Sequence, residues 1–299
     1  MQKFTCECGR AVRDVYFKNG EFMCGKCFWQ GTDNPYDYLI NMLAAKGLVV
    51  TYRGEPVLVI KQFGALQVVK GVSIAAEKGE FIVFVGPSGC GKSTLLNLVA
   101  GFEPLSTGKL LFDNQPVLKP GPDRGVVFQE ASLLPWLNVW ENVVFGPKVQ
   151  RLPRAEYEPR AREILKIMGL EAFHEALPVQ LSGGMRQRVG IARALVMQPR
   201  ALLMDEPFGA LDAQTRLSMQ ALLLDVWQKL KTTVLFVTHD IDEAILLADR
   251  ICVMTARPGR ITRTIPITLP RPRSIDDLTS AEFNRFKAMI MAEMRGVHH

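Results

Sequence analysis

A chain of 299 residues, 48% hydrophobic and 22% charged, can bury a substantial core as one large domain or two smaller ones. No apolar run approaches the about 18 uninterrupted residues that a membrane-spanning helix requires, so the chain is not expected to cross a bilayer by itself. Its formal charge of +6 comes from 36 Lys and Arg against 30 Asp and Glu spread along the sequence, without the basic stripe of a nucleic-acid binder, and no nucleic-acid partner is expected.

The opening residues, MQKFTCECGR, lack the basic, apolar and small-residue order of a secretory signal, which points to the cytoplasm and to cysteines that are reduced or metal-bound. Residues 1–45 form a short, aromatic, Cys-bearing zone. Within it Cys6-x-Cys8 and Cys24-x2-Cys27 flank Tyr16 to Met23, which reads as a hairpin with an Asn19-Gly20 turn. Four thiolates at the base of a hairpin suit tetrahedral Zn²⁺, and a metal supplies what so small a zone lacks in core. Free thiols or a redox pair are the alternatives, since C-x-C is a less common ligand pair than C-x2-C.

From about residue 46 to 267 the runs Phe81–Val85, Ala201–Met204, Val234–Val237 and Ile251–Met254 are apolar on both faces, as in a parallel sheet covered by helices on each side. The fold class read from this alternation is α/β. After the first run, Gly86-Pro87-Ser88-Gly89-Cys90-Gly91-Lys92-Ser93 fits G-x-x-x-x-G-K-[ST] and leads into the helical pattern Thr94, Leu95, Leu98, Val99. Glycines let successive backbone N–H groups point at phosphate oxygens, and the helix N-terminus adds its positive end. Lys92 is expected to neutralise the β- and γ-phosphates, Ser93 to ligate Mg²⁺ and Thr94 to donate to the α-phosphate, with Cys90 a small filler rather than a redox centre.

A proline-rich stretch from Pro120 to Pro147 then breaks the pattern. Gln129 closes a short apolar run, Val126-Val127-Phe128, which alone says little. The segment Glu130 to Val139 is apolar yet lies in this broken region, and an exposed apolar groove calls for a partner. Helical segments at roughly 155–170 and 183–198 suggest an inserted helical subdomain over about 130–200. At the start of the second, Ser182, Gly183 and Gly184 make another anion-binding turn. The strand ending at Met204 delivers Asp205 and Glu206 where open α/β sheets place ligands; Asp205 is assigned to Mg²⁺ and Glu206 to polarising an attacking water, an acidic helix cap being the plainer alternative. Val234–Val237 ends in Thr238-His239-Asp240, where His239 either caps the next helix or meets the γ-phosphate.

Residues 268–299 begin with a linker, Leu269-Pro270-Arg271-Pro272-Arg273, and the basic Arg257-to-Arg273 stretch reads as a solvated tail before it reads as a lipid-facing one. Thr279-x-x-Glu282 resembles a capping box, and Phe283, Phe286, Ile290 and Met294 recur at helical spacing, as in a terminal helix docked on the core.

Leu181-Ser182-Gly183-Gly184-Met185-Arg186-Gln187-Arg188 resembles the signature of ABC ATPases. With the phosphate loop, Gln129, Asp205-Glu206, Gly209-Ala210-Leu211-Asp212 and His239 it completes that family's motif set, in order, over roughly residues 46–267. Met185 departs from the family's usual Gln, while the Ser and both Gly remain. The resemblance implies a P-loop ABC ATPase with a parallel-sheet core and a helical signature subdomain. It also implies a homodimer or cassette pair in which the signature of one subunit covers the γ-phosphate held by the other, with Asp212 at the interface and Gln129 acting in catalysis and at Mg²⁺. Phe63, 23 positions before Gly86, matches the aromatic that stacks on adenine, although a core role or competition from Tyr52 stays open. In the family, the region after Gln129 receives a cytoplasmic helix of the transmembrane permease, and Leu133-Leu134-Pro135-Trp136 looks like the importer branch for nitrate, taurine, aliphatic sulfonates and similar small anions. Such a subunit binds ATP and Mg²⁺ at the cytoplasmic face of the cell membrane and serves, indirectly, an external solute-binding protein. Gly86 and Leu181 are only 95 positions apart, too few for the long coiled coil of repair ABC ATPases, and the single cassette separates the chain from the translation type.

Overall fold

In the computed structural model the described residues are 15–18, 21–24, 50–52, 55–57, 59–63, 66–72, 74–113, 115–255 and 258–296. The chain divides into two units, Met1–Lys46 and Gly47–His299. In the first, β1 (Val15–Lys18) and β2 (Glu21–Cys24) pair antiparallel with Lys18 opposite Glu21, the register that a two-residue connection imposes. Of the four cysteines proposed as ligands, Cys6, Cys8 and Cys27 lie outside the described residues, and only the backbone of Cys24 is described.

The second unit opens with antiparallel pieces: β3 (Val50–Tyr52) with β4 (Glu55–Val57), then β5 (Val59–Phe63) between β6 (Leu66–Val72) and β8 (Thr107–Gly108). Its centre is a six-stranded sheet containing β7 (Phe81–Val85), β11 (Arg124–Val127), β12 (Ala201–Asp205), β13 (Thr233–Thr238), β14 (Arg250–Met254) and β15 (Ile261–Pro266), in the order β11-β12-β13-β7-β14-β15. All neighbours run parallel except β15, an antiparallel edge. A short pair, β9 (Leu111–Phe112) with β10 (Gln115–Pro116), precedes β11. The α/β expectation is met, and each apolar run in the sequence is a strand of this sheet.

Helix α1 (Lys92–Ala100) packs on β11, β12 and β13. After α2 (Val139–Val143) and α3 (Phe145–Val149) come α4 (Arg154–Ile167) and α5 (Gly183–Leu195), close to the two segments expected from periodicity. Then α6 (Ala213–Leu230), α7 (Ile241–Leu247) and α8 (Ala281–Gly296) complete the unit. Alternate residues of one strand face opposite layers: Phe81, Val83 and Val85 join Leu223, Leu224 and Trp227 of α6 and Ile245 and Leu246 of α7, while Ile82 and Phe84 are equally buried on the other face. Phe81 sits edge-on to Trp227 at 5.7 Å and 5.9 Å from Phe236, and burial of each such side chain contributes about 1.5–3 kcal/mol.

Leu269 to Arg273 is no solvated linker. Arg271 donates to Asp249 and to the Leu247 carbonyl and lies 4.3 Å over Trp227. Arg273 is buried, donating to the carbonyls of Ile245, Ala248, Ile267 and Leu269, and burial lowers its pKa to about 10. These guanidiniums satisfy the orphan carbonyls at the end of α7, which the sequence's charge pattern did not reveal; Arg260 and Arg263 alone of the described basic residues there stay exposed. The terminal helix does dock, with Phe283, Phe286 and Ile290 buried and Met294 packed at the edge. Its start differs from expectation: Ser280, not Thr279, accepts from the Phe283 N–H, while Thr279 ends a preceding turn and donates to Asp276.

Between α6 and α7 the side chains of Gln220 and Glu243 are buried 2.9 Å apart. Burial pushes the Glu243 carboxyl above its ordinary value, opposed by hydrogen bonds from Thr238 and Gln220. A raised folded pKa means that the folded chain holds this proton longer, so the group's stabilising contribution is complete below the unfolded value and is lost as pH rises through the folded one. Glu243→Gln removes that titration, and the gap in melting temperature between pH 5 and pH 8 is expected to shrink; an unchanged gap in thermal melts counts against it.

Candidate active site

The register of three neighbouring strands brings the expected site residues together. Val85 pairs with Thr238 and Val237 with Asp205, so β7, β13 and β12 end side by side and release the phosphate loop, His239 and the acid pair at one edge of the sheet. Gly86 is buried, Pro87 half-buried, and Ser88 and Gly89 exposed on the loop. Gly91 caps α1 from the left-handed region, φ 93°, where a side chain is strained, so the first N–H groups of the helix are left to face a ligand. Lys92 is buried, its Nζ donating to the carbonyls of Gly86 at 2.9 Å and Pro87 at 3.2 Å. Cys90 is fully buried and its thiol pKa is raised by that burial, with Lys92 opposing, which suits the filler expected and not a reactive thiol.

Ser93 is exposed and donates to Asp205 Oδ1 at 2.9 Å. Burial raises the Asp205 carboxyl above its usual range, partly offset by Ser93 and reinforced by Glu206. Glu206 turns sharply off the strand at φ 43°, a conformation that costs a non-glycine residue of order 1–3 kcal/mol, while its N–H donates to the Val237 carbonyl. This turn aims the carboxylate across to His239: Oε2 is 2.9 Å from Nδ1, and Oε1 is 4.0 Å from Lys92 Nζ. A carboxylate only accepts, so Nδ1 carries the proton in this contact. Neither acid caps a helix, and His239 does not either; Asp240 caps α7, accepting from the N–H groups of Asp242 and Glu243.

Gln129 is exposed just beyond β11, its Nε2 3.3 Å from where a Cβ on Gly209 would stand, in the turn that follows Glu206. Thr94 lies half-buried in the first turn of α1. Phe63 ends β5 with 46% of its surface exposed and Lys61 Nζ 4.5 Å from its ring, so it is not a core aromatic. Asp212 is exposed and caps α6 by accepting from the Thr215 N–H, which holds its carboxyl below the usual range. Ser182 caps α5, accepting from the Met185 N–H at 3.2 Å; it and Gly183 are exposed, whereas Gly184 is buried, with Thr215 Cγ2 2.6 Å from where its Cβ would stand. Among the described residues no hydrogen bond joins Ser182, Gly183 or Gly184 to the phosphate loop. They form a second, separate turn.

The segment after Gln129 is only partly the open groove expected. Leu133, Leu134 and Leu137 are half-buried, and Trp136 projects with 72% exposure. Sequence reasoning missed Asn142, fully buried, which holds this loop by accepting from the Leu134 N–H and donating to the carbonyls of Leu134, Leu137 and Asn138. The reciprocal Asn138 and Glu141 cap of α2 was a legible N-x-x-E signal for where that helix begins.

Such an edge, with a phosphate-cradling loop beside an acid hydrogen-bonded to histidine, defines a nucleoside-triphosphate hydrolase of the P-loop type. Over residues 69–209 the chain matches the family described as ABC transporter. It is 50% identical over 220 residues to an uncharacterized ABC transporter ATP-binding protein of Methanocaldococcus jannaschii, covering 74% of this chain and 81% of that one. It is 52% identical over 198 residues to a taurine import ATP-binding protein of Burkholderia pseudomallei, covering 66% and 76%. Among solved structures it resembles a dimeric post-hydrolysis state of an ATP-binding cassette bound to ADP and Pi, with a TM-score of 0.60 and 33% identity, covering 74% of this chain and 98% of the other. The chain belongs to the ABC transporter family.

Proposed function

We propose that this chain is the ATP-binding and ATP-hydrolysing subunit of an importer for a small sulfonate-type anion such as taurine. It works at the cytoplasmic face of the membrane, in pairs, against transmembrane permease subunits that receive solute from an external binding protein. The observation that supports this most is the exposed Ser182-Gly183 turn at the start of α5, a second anion-binding surface that the phosphate loop of the same subunit does not use. In a head-to-tail pair it faces the γ-phosphate held by Lys92 of the other copy, and Asp212 lies at that contact.

Within each site the loop from Gly86 to Ser93 binds the phosphates and Phe63 offers its exposed ring to adenine. The hard oxygens of Ser93 and Asp205, 2.9 Å apart, fit Mg²⁺, which would supply charge neutralisation at the phosphates, and Gln129 is the further ligand proposed for it. Glu206 takes a proton from the attacking water, and His239, through its hydrogen bond, holds Glu206 in place and faces the γ-phosphate. The helices over about 130–200 act as a signature subdomain inserted in the 46–267 ATPase domain, with 268–299 as its C-terminal extension.

Trp136 is the proposed contact to the permease. Trp136→Ala is expected to leave ATP binding and the hydrolysis of the isolated subunit within about twofold, since exposed side chains away from special features matter little to stability, and to abolish taurine uptake by vesicles carrying the permease. Uptake at the wild-type rate overturns the coupling role; a subunit that binds no ATP overturns the whole reading.

For the zone 1–45 the proposal is a structural Zn²⁺ held by Cys6, Cys8, Cys24 and Cys27. It is supported by the β1–β2 hairpin, whose base ends at Cys24, and by the small size of that unit. Metal analysis of the purified chain should then give about one zinc per copy. Four readily titrated thiols with no metal would remove the idea.

A further inference from the structure

A ring of contacts closes behind the catalytic pair. From Glu206 the chain turns through Gly209, whose N–H donates to the Glu206 carbonyl at 3.0 Å, to Leu211, whose N–H donates to Phe208 at 3.1 Å. One turn into α6, Arg216 donates from one guanidinium nitrogen to the Leu211 carbonyl at 3.0 Å, and its other terminal nitrogen lies 3.5 Å from Asp240 Oδ2. Asp240 directly follows His239, whose ring returns to Glu206 at 2.9 Å. Four residues further along α6, on the same face, Gln220 reaches Glu243 in the first turn of α7 at 2.9 Å. The junction between His239 and α7 is therefore braced at two points against the helix that Asp212 caps.

We propose that Arg216 is a positioning residue for hydrolysis: by bridging Leu211 and Asp240 it fixes the spacing between the His239 end of β13 and the turn that runs from Glu206 to Asp212. Several features argue for geometry rather than stability as its role. The Arg216 and Asp240 side chains are about a third exposed, where an ion pair contributes little to folding. Arg216 Nε is nevertheless buried without a partner among the described residues, a placement that isolated packing would not favour. The planar fork is what spans a carbonyl and a carboxylate at once, and a lysine ammonium cannot hold both in that arrangement. Because Asp212 is exposed at the other end of the same turn, a change there is transmitted through Arg216 to His239, so that the partner subunit's arrival and the alignment of the catalytic pair become one event.

The inference rests on the ATPase reading, and its test separates the two. Steady-state ATP hydrolysis is compared for wild type, Arg216→Ala, Arg216→Lys, Asp240→Asn and the Ala/Asn double variant. Asparagine caps helices as well as aspartate does, so Asp240→Asn keeps α7 while losing the charge that faces Arg216. Arg216→Ala and Asp240→Asn are each expected to lower kcat about 10-fold, within the range that sub-ångström to 1 Å misplacement produces, with KM for ATP within about twofold and the melting temperature little changed. Arg216→Lys recovers only part of the loss, and the double variant falls no further than the worse single one. Losses that multiply, or an Asp240→Asn protein with wild-type kcat, overturn the proposal; Asp240→Asn decides alone where Arg216→Ala fails to fold. A wild type without ATP hydrolysis instead removes the reading on which the inference stands.

Discussion

Glu206→Gln is expected to cut ATP turnover by about 10³-fold, within the range that general-base catalysis supplies, and to leave ATP affinity nearly intact. The amide has the shape of the carboxylate, and its oxygen can still accept from His239 Nδ1, so the 2.9 Å contact and the sharp turn at φ 43° persist. What disappears is the basic oxygen that takes the water's proton. Lys92 keeps its carbonyl partners at Gly86 and Pro87 and remains over the loop, because its 4.0 Å approach to Glu206 is too long to be what holds it there. With binding intact and hydrolysis blocked, ATP and magnesium should accumulate a stable pair of subunits, seen by size-exclusion chromatography, that the wild type forms only transiently. A glutamine variant retaining more than about a tenth of wild-type turnover would show that another group activates the water, since loss of a positioned base costs at least about 100-fold.

How much of this was legible in the chain follows from how local each determinant is. The phosphate loop, the acid pair and His239 each sit at the end of an apolar run, so a pattern read over a few residues located them, and the parallel sheet then set them side by side by register. Ser182 was legible as part of a turn at a helix start, and the structure adds that it caps that helix. The failures are side-chain contacts that neither periodicity nor charge pattern encodes. Arg273 looked like part of a solvated basic stretch because charge patterns do not reveal that the carbonyls at the end of α7 lie within its reach. Leu133, Leu134 and Leu137 looked exposed because prolines bracket them, whereas buried Asn142 folds their backbone inward. Arg216 gave no signal of its role, since Leu211 lies five residues back but Asp240 is brought to it only by tertiary structure.

Gly259 makes the most consequential of the distant contacts, and Gly259→Ala is expected to weaken ATP binding by about 5- to 150-fold, the equivalent of the 1–3 kcal/mol that overpacking typically costs. A Cβ built there would stand 1.9 Å from the carbonyl oxygen of Cys90 and 3.2 Å from that of Val68. Something must move, and the glycine's own backbone is held: its N–H donates to Val68 at 2.8 Å and its carbonyl accepts from Lys70 at 2.9 Å, stitching it to β6. The yielding partner is then the Cys90–Gly91 peptide, the part of the loop from which α1 and its phosphate-facing N–H groups begin. Pro258-Gly259 reads in sequence as an ordinary turn, with nothing to show that it backs the phosphate loop. Equilibrium binding of a fluorescent ATP analogue, set beside thermal melts, separates the outcomes. Weaker binding with a melting temperature within a few degrees of wild type supports a displaced loop, whereas wild-type affinity would mean that β6 and the turn carrying Gly259 yield together and leave Cys90 where it stands.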